Sequence, residues 1–226
     1  MNEGRLTKVG LFGGTFDPIH FGHLRAAEEI REILDLEKIY FIPTSVPPHK
    51  ITPEMASPHD RLEMLKLALN DNNFLCILDI EIKRGGKSYT IDTIQYLSQT
   101  FPLLDCYLIV GSDLFSGIET WKDYKNLFTI SNFAVIERPG FVVDFPAMLP
   151  LEIRDDFRYY KQNKNLSLYI NKSSKVLSIV KINGLEISST KIRELIKTSK
   201  SIKYLVPSSV EAYILAHNLY KKEAAK

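Results

Sequence analysis

The sequence predicts an α/β fold: a doubly wound parallel sheet with helices on both faces and a peripheral insertion near residues 141–175. Three observations carry that prediction. Short β-rich apolar runs alternate with helix-period segments, the links between them are short, and glycine or proline closes most of the strand candidates.

The first strand candidate is Val9–Phe12, an apolar run ending at Gly13 and Gly14. A helix over Gly22–Leu34 follows, with Leu24, Ala27, Ile30 and Leu34 on one face. Ile39–Ile42 is the second strand, stopped by Pro43. Strand, helix and strand joined by short links make the two strands parallel. Ser57 and Pro58 read as N-cap and first residue of a helix through Arg61–Leu69. Phe74–Ile80 is a third strand candidate and Thr90–Phe101 a helix. Asp105–Val110, ended by Gly111, is the clearest strand, and Asn132–Ile136 stops before Arg138, Pro139 and Gly140. Residues 141–175 have turn residues but no sustained period, so they are expected to be the insertion. Val176–Ile182 is a last strand. Ile187–Thr190 then leads into a helix over Lys191–Lys197, and Ser208 with Glu211 forms a capping box for a terminal helix through Tyr220. With no repeats or low-complexity tracts, the whole chain, 1–226, is expected to be a single domain.

At 226 residues such a domain buries roughly 70% of its unfolded surface and needs no disulfide or structural metal. Cys76 and Cys106 both sit in apolar runs, which favours buried, unpaired thiols, and no metal-ligand spacing is present. The 29 basic and 27 acidic residues leave a net charge of +2, too little for a broad field toward nucleic acid or an anionic membrane. The first eight residues lack the apolar core of a signal peptide and no apolar run reaches ~18 residues, so the chain reads as cytoplasmic.

Three segments carry chemistry. Gly13-Gly14-Thr15-Phe16-Asp17-Pro18-Ile19-His20-Phe21-Gly22-His23 follows the first strand directly. Glycines at 13, 14 and 22 allow close backbone approach and positive φ. His20 and His23, three apart, can turn both imidazoles toward one point at the positive end of a helix, a place that favours phosphate. Pro43-Thr44-Ser45-Val46-Pro47-Pro48-His49-Lys50 is a stiff loop carrying a cation past the end of the second strand. Ile187-Ser188-Ser189-Thr190-Lys191-Ile192-Arg193 puts hydroxyls, free N–H groups and a guanidinium at a helix start. Each alone has a plainer explanation: a surface histidine pair, a solvent loop, and an ordinary N-cap at Ser189 or Thr190.

Together these runs resemble the nucleotidylyltransferase superfamily, with its H-x-G-H and I-S-S-T-x-I-R signatures on a Rossmann-like sheet. The longer form around His20, the P-P-H-K loop and Ser88-Tyr89-Thr90-Ile91-Asp92-Thr93 are similar to the nicotinate-nucleotide adenylyltransferase branch. Gly111-Ser112-Asp113 stands where that branch usually has G-A-D. The resemblance covers about 8–140 and 182–220 and leaves 141–175 unexplained.

It implies adenylyl transfer from ATP to nicotinate mononucleotide with release of pyrophosphate, in NAD biosynthesis. His20, His23, Lys50 and Arg193 then stabilise charge on the phosphates. Gly13, Gly14, Thr15, Phe16, Gly111, Asp113, Ile187, Ser188, Ser189 and Thr190 join them around ATP. Thr15, Lys50, Ser88, Tyr89, Thr90, Asp113, Trp121 and Arg138 meet the nicotinate nucleotide, with Trp121 stacking on the ring; core packing is the plainer use of Trp121. Mg²⁺ is expected to arrive with ATP, since no carboxylate cage is evident. ATP and nicotinate mononucleotide are the expected partners, and a homo-oligomer stays open. An acceptor such as nicotinamide mononucleotide or phosphopantetheine, or a non-catalytic nucleotide-binding role on the same fold, are the alternatives.

Overall fold

The alternation of apolar side chains along the central strands builds two cores, one on each face of a single sheet. In the computed structural model, which describes residues 6–47, 55–137 and 147–221, the strands are β1 (Thr7–Gly14), β2 (Lys38–Pro43), β3 (Leu75–Ile77), β4 (Leu104–Gly111), β5 (Asn132–Glu137), β6 (Phe157–Gln162), β7 (Leu166–Asn171) and β8 (Val176–Lys181). They lie in the order β3-β2-β1-β4-β5-β8-β7-β6. Strands β3 to β8 in that order are all parallel; β7 and β6 are antiparallel additions at one edge. The order reverses at β1, so a crevice opens beyond the carboxyl ends of β1 and β4, where ligands bind in open α/β sheets.

The helices are α1 (Phe21–Leu34), α2 (Pro58–Leu69), α3 (Ile80–Arg84), α4 (Thr90–Thr100), α5 (Ser112–Phe115), α6 (Tyr124–Ile130), α7 (Leu151–Arg154), α8 (Ser189–Lys197) and α9 (Ser208–Ala216). Tyr107, Ile109, Ala134 and Ile136 face one core, with Ile30 of α1, Leu65 of α2, Ile192 of α8 and Ile214 of α9. Leu108, Val110, Phe133 and Val135 face the other, with Ile91 of α4, Phe115 of α5, Leu127 of α6 and Ile153 of α7. This two-residue alternation in strands buried on both faces is what a doubly wound sheet requires. Ser57 caps α2 as its sequence suggests, its Oγ accepting from the Asp60 N–H at 3.1 Å. Both cysteines are free, Cys106 buried and Cys76 half-buried.

Five sequence expectations change. The stretch 141–175 is peripheral, as expected, but it contains strands β6 and β7, a hairpin that extends the sheet at its edge where no strand was expected. Most of β6 is exposed on both sides and a bulge falls between Tyr159 and Lys161, so neither burial nor period marks it. The run Phe74–Ile80 is not one strand: β3 is three residues long and Ile80 opens α3, because so short an apolar run has no period to tell strand from helix. The capping box at Ser208 does not form. Pro207 is the N-cap, and the Ser209 hydroxyl instead donates to the Leu67 carbonyl at 3.1 Å, tying α9 to α2. The helix also ends at Ala216, after which Asn218 and Tyr220 take positive φ and turn the chain inward. Finally, positive φ in the first motif falls at Phe16 (51°), not at Gly13, Gly14 or Gly22.

Candidate active site

A cleft of about 480 Å³ lies over the carboxyl ends of β1, β2, β4 and β5. Its floor is the turn after β1. Phe16, forced into the left-handed region, folds its ring beneath Gly14; a Cβ on Gly14 would meet that ring at 2.9 Å. Gly22 is needed for the same reason: a Cβ there would meet the His20 ring at 3.0 Å and the Leu185 carbonyl at 3.2 Å.

His20 is the N-cap of α1. Its Nδ1 accepts from the His23 N–H at 3.3 Å, which leaves Nε2 to carry the proton when the ring is neutral. The two imidazoles stack with centroids 3.6 Å apart and an interplanar angle of 22°, and Phe16 holds His23 edge-on at 5.2 Å. Both rings line the cleft. The expected convergence at a helix start is therefore present.

The second signature closes the cleft from the far end of the chain. Ser188, rather than Ser189 or Thr190, caps α8, accepting from the Lys191 N–H at 3.2 Å. That frees Ser189 to donate to the Pro18 carbonyl at 2.9 Å, across 171 residues of sequence. Arg193 donates to the Asp17 carbonyl at 2.6 Å, with the Asp17 carboxylate 3.7 Å away. Behind them, Glu29 of α1 accepts from the N–H groups of Asn183 (2.7 Å) and Gly184 (3.2 Å), clamping the approach to α8.

At the opposite end, Tyr89 is the N-cap of α4 and its side chain makes no cap hydrogen bond; the Asp92 N–H is taken by the Tyr89 carbonyl at 3.2 Å, and Tyr89 and Thr90 line this part of the cleft. Ser88 is turned toward the protein: its Oγ accepts from the Ser45 N–H at 2.9 Å and it hydrogen-bonds Glu81. Burial pushes the Glu81 carboxyl above the usual carboxylate range, opposed by hydrogen bonds from Thr93 (2.8 Å) and Ser88. Trp121, half-buried, lines this end.

Of the residues singled out from sequence, Gly13, Gly14, Thr15, Phe16, His20, His23, Ser88, Tyr89, Thr90, Gly111, Asp113, Trp121, Ile187, Ser188, Ser189, Thr190 and Arg193 all line this one cleft. Lys50 and Arg138 lie outside the described residues. Sequence reasoning missed the parts that hold the cleft open. Arg61 of α2 is fully buried and donates to three carbonyls from three segments: Ala56 (3.2 Å), Thr15 (2.9 Å) and Ser45 (2.9 Å). Burial lowers the pKa of its guanidinium and the charge of Asp17 raises it again. Asp17 accepts from Tyr220 Oη at 2.6 Å and from the Ala56 N–H at 3.1 Å; burial, then Asp17, pushes the Tyr220 phenol well above its usual value. Nothing local marks Arg61 or Tyr220, which sit in ordinary helical and terminal sequence. Thr44, at the end of β2, also lines the cleft, with a buried hydroxyl that has no partner among the described residues. A larger groove of about 830 Å³ runs between α1, α2 and the start of α9, but it gathers neither histidine nor signature hydroxyl.

Glycine-lined backbone, two imidazoles at a helix start, hydroxyls and a guanidinium at a second helix start form a donor set suited to phosphate groups. Residues 11–195 match the family described as Cytidylyltransferase-like, and the chain belongs to that family. A protein of Geotalea daltonii named "Probable nicotinate-nucleotide adenylyltransferase" is 44% identical over 94% of this chain and 98% of its own length. A relative of the same name from Syntrophotalea carbinolica is 41% identical over 96% of this chain and 98% of its own. Within the wider family the chain therefore belongs with the nicotinate-nucleotide adenylyltransferases. A solved structure of Plasmodium falciparum nicotinic acid mononucleotide adenylyltransferase complexed with NaAD matches with a TM-score of 0.73 over 95% of this chain and 97% of that one, at 21% identity. That likeness shows the shared fold. Among the described residues no helix is long and apolar enough to cross a membrane.

Proposed function

We propose that this protein transfers the adenylyl group of ATP to nicotinate mononucleotide, releasing pyrophosphate and forming nicotinate adenine dinucleotide for NAD biosynthesis. The observation that carries the reading is the joining of both signatures in one cleft, Ser189 and Arg193 bonded to the turn that presents His20 and His23. Transfer of a nucleotidyl group leaves the protein mainly positioning and charge stabilisation to do, and these are the groups for it. The attacking phosphate of the mononucleotide displaces pyrophosphate in line at the α-phosphorus. His20 and His23 steady the charge growing on the α-phosphate; Arg193, with Lys50 from the proline-rich loop, neutralises the transferring and leaving phosphates. Ser188, Ser189, Thr190 and the start of α8 hold the distal phosphates, Ile187 lies alongside, and Gly13, Gly14, Thr15 and Phe16 shape the floor. Gly111 lets a ribose approach Asp113.

Trp121 stacks on the pyridine ring, and Arg138 contacts the same nucleotide. The start of α4 at Tyr89–Thr90, positioned by Ser88, receives the ring carboxylate, because free N–H donors and the helix dipole favour an anion. Mg²⁺ fits as a passenger on ATP: the phosphate end of the cleft offers imidazoles, hydroxyls and a guanidinium, a donor set for phosphate oxygens, and among the described residues no group of three His, Cys, Asp or Glu gathers. On this reading the whole chain works as one domain, in the cytoplasm where its substrates are.

Pyrophosphate release on mixing protein, ATP, Mg²⁺ and nicotinate mononucleotide tests the proposal, with nicotinamide mononucleotide run in parallel. An amide leaves buried donors facing its own NH₂, at about 1–3 kcal/mol per mismatch, so the acid should be favoured on the order of 10²-fold in kcat/KM. The emission of Trp121, the one tryptophan of the chain, should change on adding the acid. No pyrophosphate with either nucleotide, or equal use of both, overturns the reading.

A further inference from the structure

We propose that the Lys122 ammonium is a specificity-determining group of this enzyme, supplying the positive charge that draws an anionic pyridine substituent to the start of α4. The inference rests on the acceptor reading above. Lys122 follows Trp121 directly, and both line the cleft beside Tyr89 and Thr90. Its Nζ lies 2.8 Å from Asp92 Oδ1 and 4.8 Å from the centroid of the Tyr89 ring. Tyr89 is the N-cap of α4 and Asp92 lies in its first turn, so two contacts hold the ammonium over the helix start.

Charge makes that position matter. Among the described residues, the acidic side chains lining this end are Glu81 and Asp113, with Asp92 close behind on α4. Arg193, the other lysine or arginine among the described lining residues, is at the phosphate end and bonded to Asp17. Arg84 donates to the Thr93 hydroxyl at 3.1 Å, and its charge partly offsets that of Glu81. Without Lys122 a carboxylate-bearing ring would meet the helix start with the Asp92 charge unbalanced, working against the N–H dipoles of α4. With it, the Asp92 charge is offset and the held ammonium lies beside the place an anionic substituent would take. A carboxamide has no charge to respond to either state.

The lysine is half-exposed and solvent screens it, so the effect is moderate. Lys122→Gln should lower the acid-to-amide ratio of kcat/KM by about two- to fivefold, through KM for the acid, with KM for ATP unmoved. Asp92→Asn removes the competing anion and should raise that ratio at least about twofold. Raising the salt concentration should erode the preference of the unmodified protein and leave that of Lys122→Gln flat. A ratio unchanged in Lys122→Gln overturns the inference alone. An equal fall in both variants does so too, since it marks the pair as a brace for α4. Preference for the amide in the unmodified protein, or turnover of neither nucleotide, overturns the acceptor reading and the inference with it.

Discussion

His20 works twice: its Nδ1 caps α1 through the His23 N–H, and its ring stacks on His23 over the cleft. The pair was legible because i, i+3 spacing at a helix start is a local property, and so was its link to phosphate. The support beneath it was not: nothing in the run announces that Phe16 takes positive φ and packs under Gly14. His20→Ala and His23→Ala should each reduce kcat by ~10²–10³, the cost of one transition-state contact. Losing the cap should cost His20→Ala about 1 kcal/mol more in stability. Turnover assays paired with thermal melts check this, and near-normal kcat in either folded variant removes that histidine from the mechanism.

The β6–β7 hairpin was the element the sequence hid. Besides the packing of Phe157 and Tyr169 on the core, a buried polar residue fixes the turn after it. Buried Asn171 donates to the Phe128 carbonyl at 2.6 Å and accepts from the N–H groups of Ser173 and Lys175 at 2.9 Å each, pinning the β7–β8 turn to α6. Asn171→Ala strands those groups at a cost of about 1–3 kcal/mol, which for a chain of this size lowers Tm by roughly 3–10 °C. The cleft lies beyond the other ends of the strands, so kcat should stay within about twofold. A melt as high as that of the unmodified protein would show that the hairpin is held some other way. The shortened β3 and the uncapped α9 were missed for related reasons. One run was too short to carry a period, and the other matched a motif whose register Pro207 shifts by one residue.

Across the whole molecule, buried polar contacts join segments that are remote in sequence. Tyr220 reaches Asp17 across 203 residues, and Arg61 ties the Thr15, Ser45 and Ala56 carbonyls. Tyr220→Phe removes a hydrogen bond to a buried carboxylate, worth about 1.5–3 kcal/mol, and should lower Tm by roughly 3–12 °C. Because Asp17 also contacts Arg193, KM for ATP should rise in the same variant. An unchanged melt with an unchanged KM would reduce the contact to a bystander. The alternation of strands and helices through the parallel part of the sheet, the two signature segments, and the chemistry of phosphate binding were all set by local period, spacing and residue type, so they could be read from the chain itself. Which residues would meet was decided only by folding: Ser189 with Pro18, Lys122 with Tyr89 and Asp92, Arg61 with three separate loops. Such pairings depend on how the sheet brings distant loops to one end, and a buried arginine or a terminal tyrosine carries no sign of its partner until that packing exists.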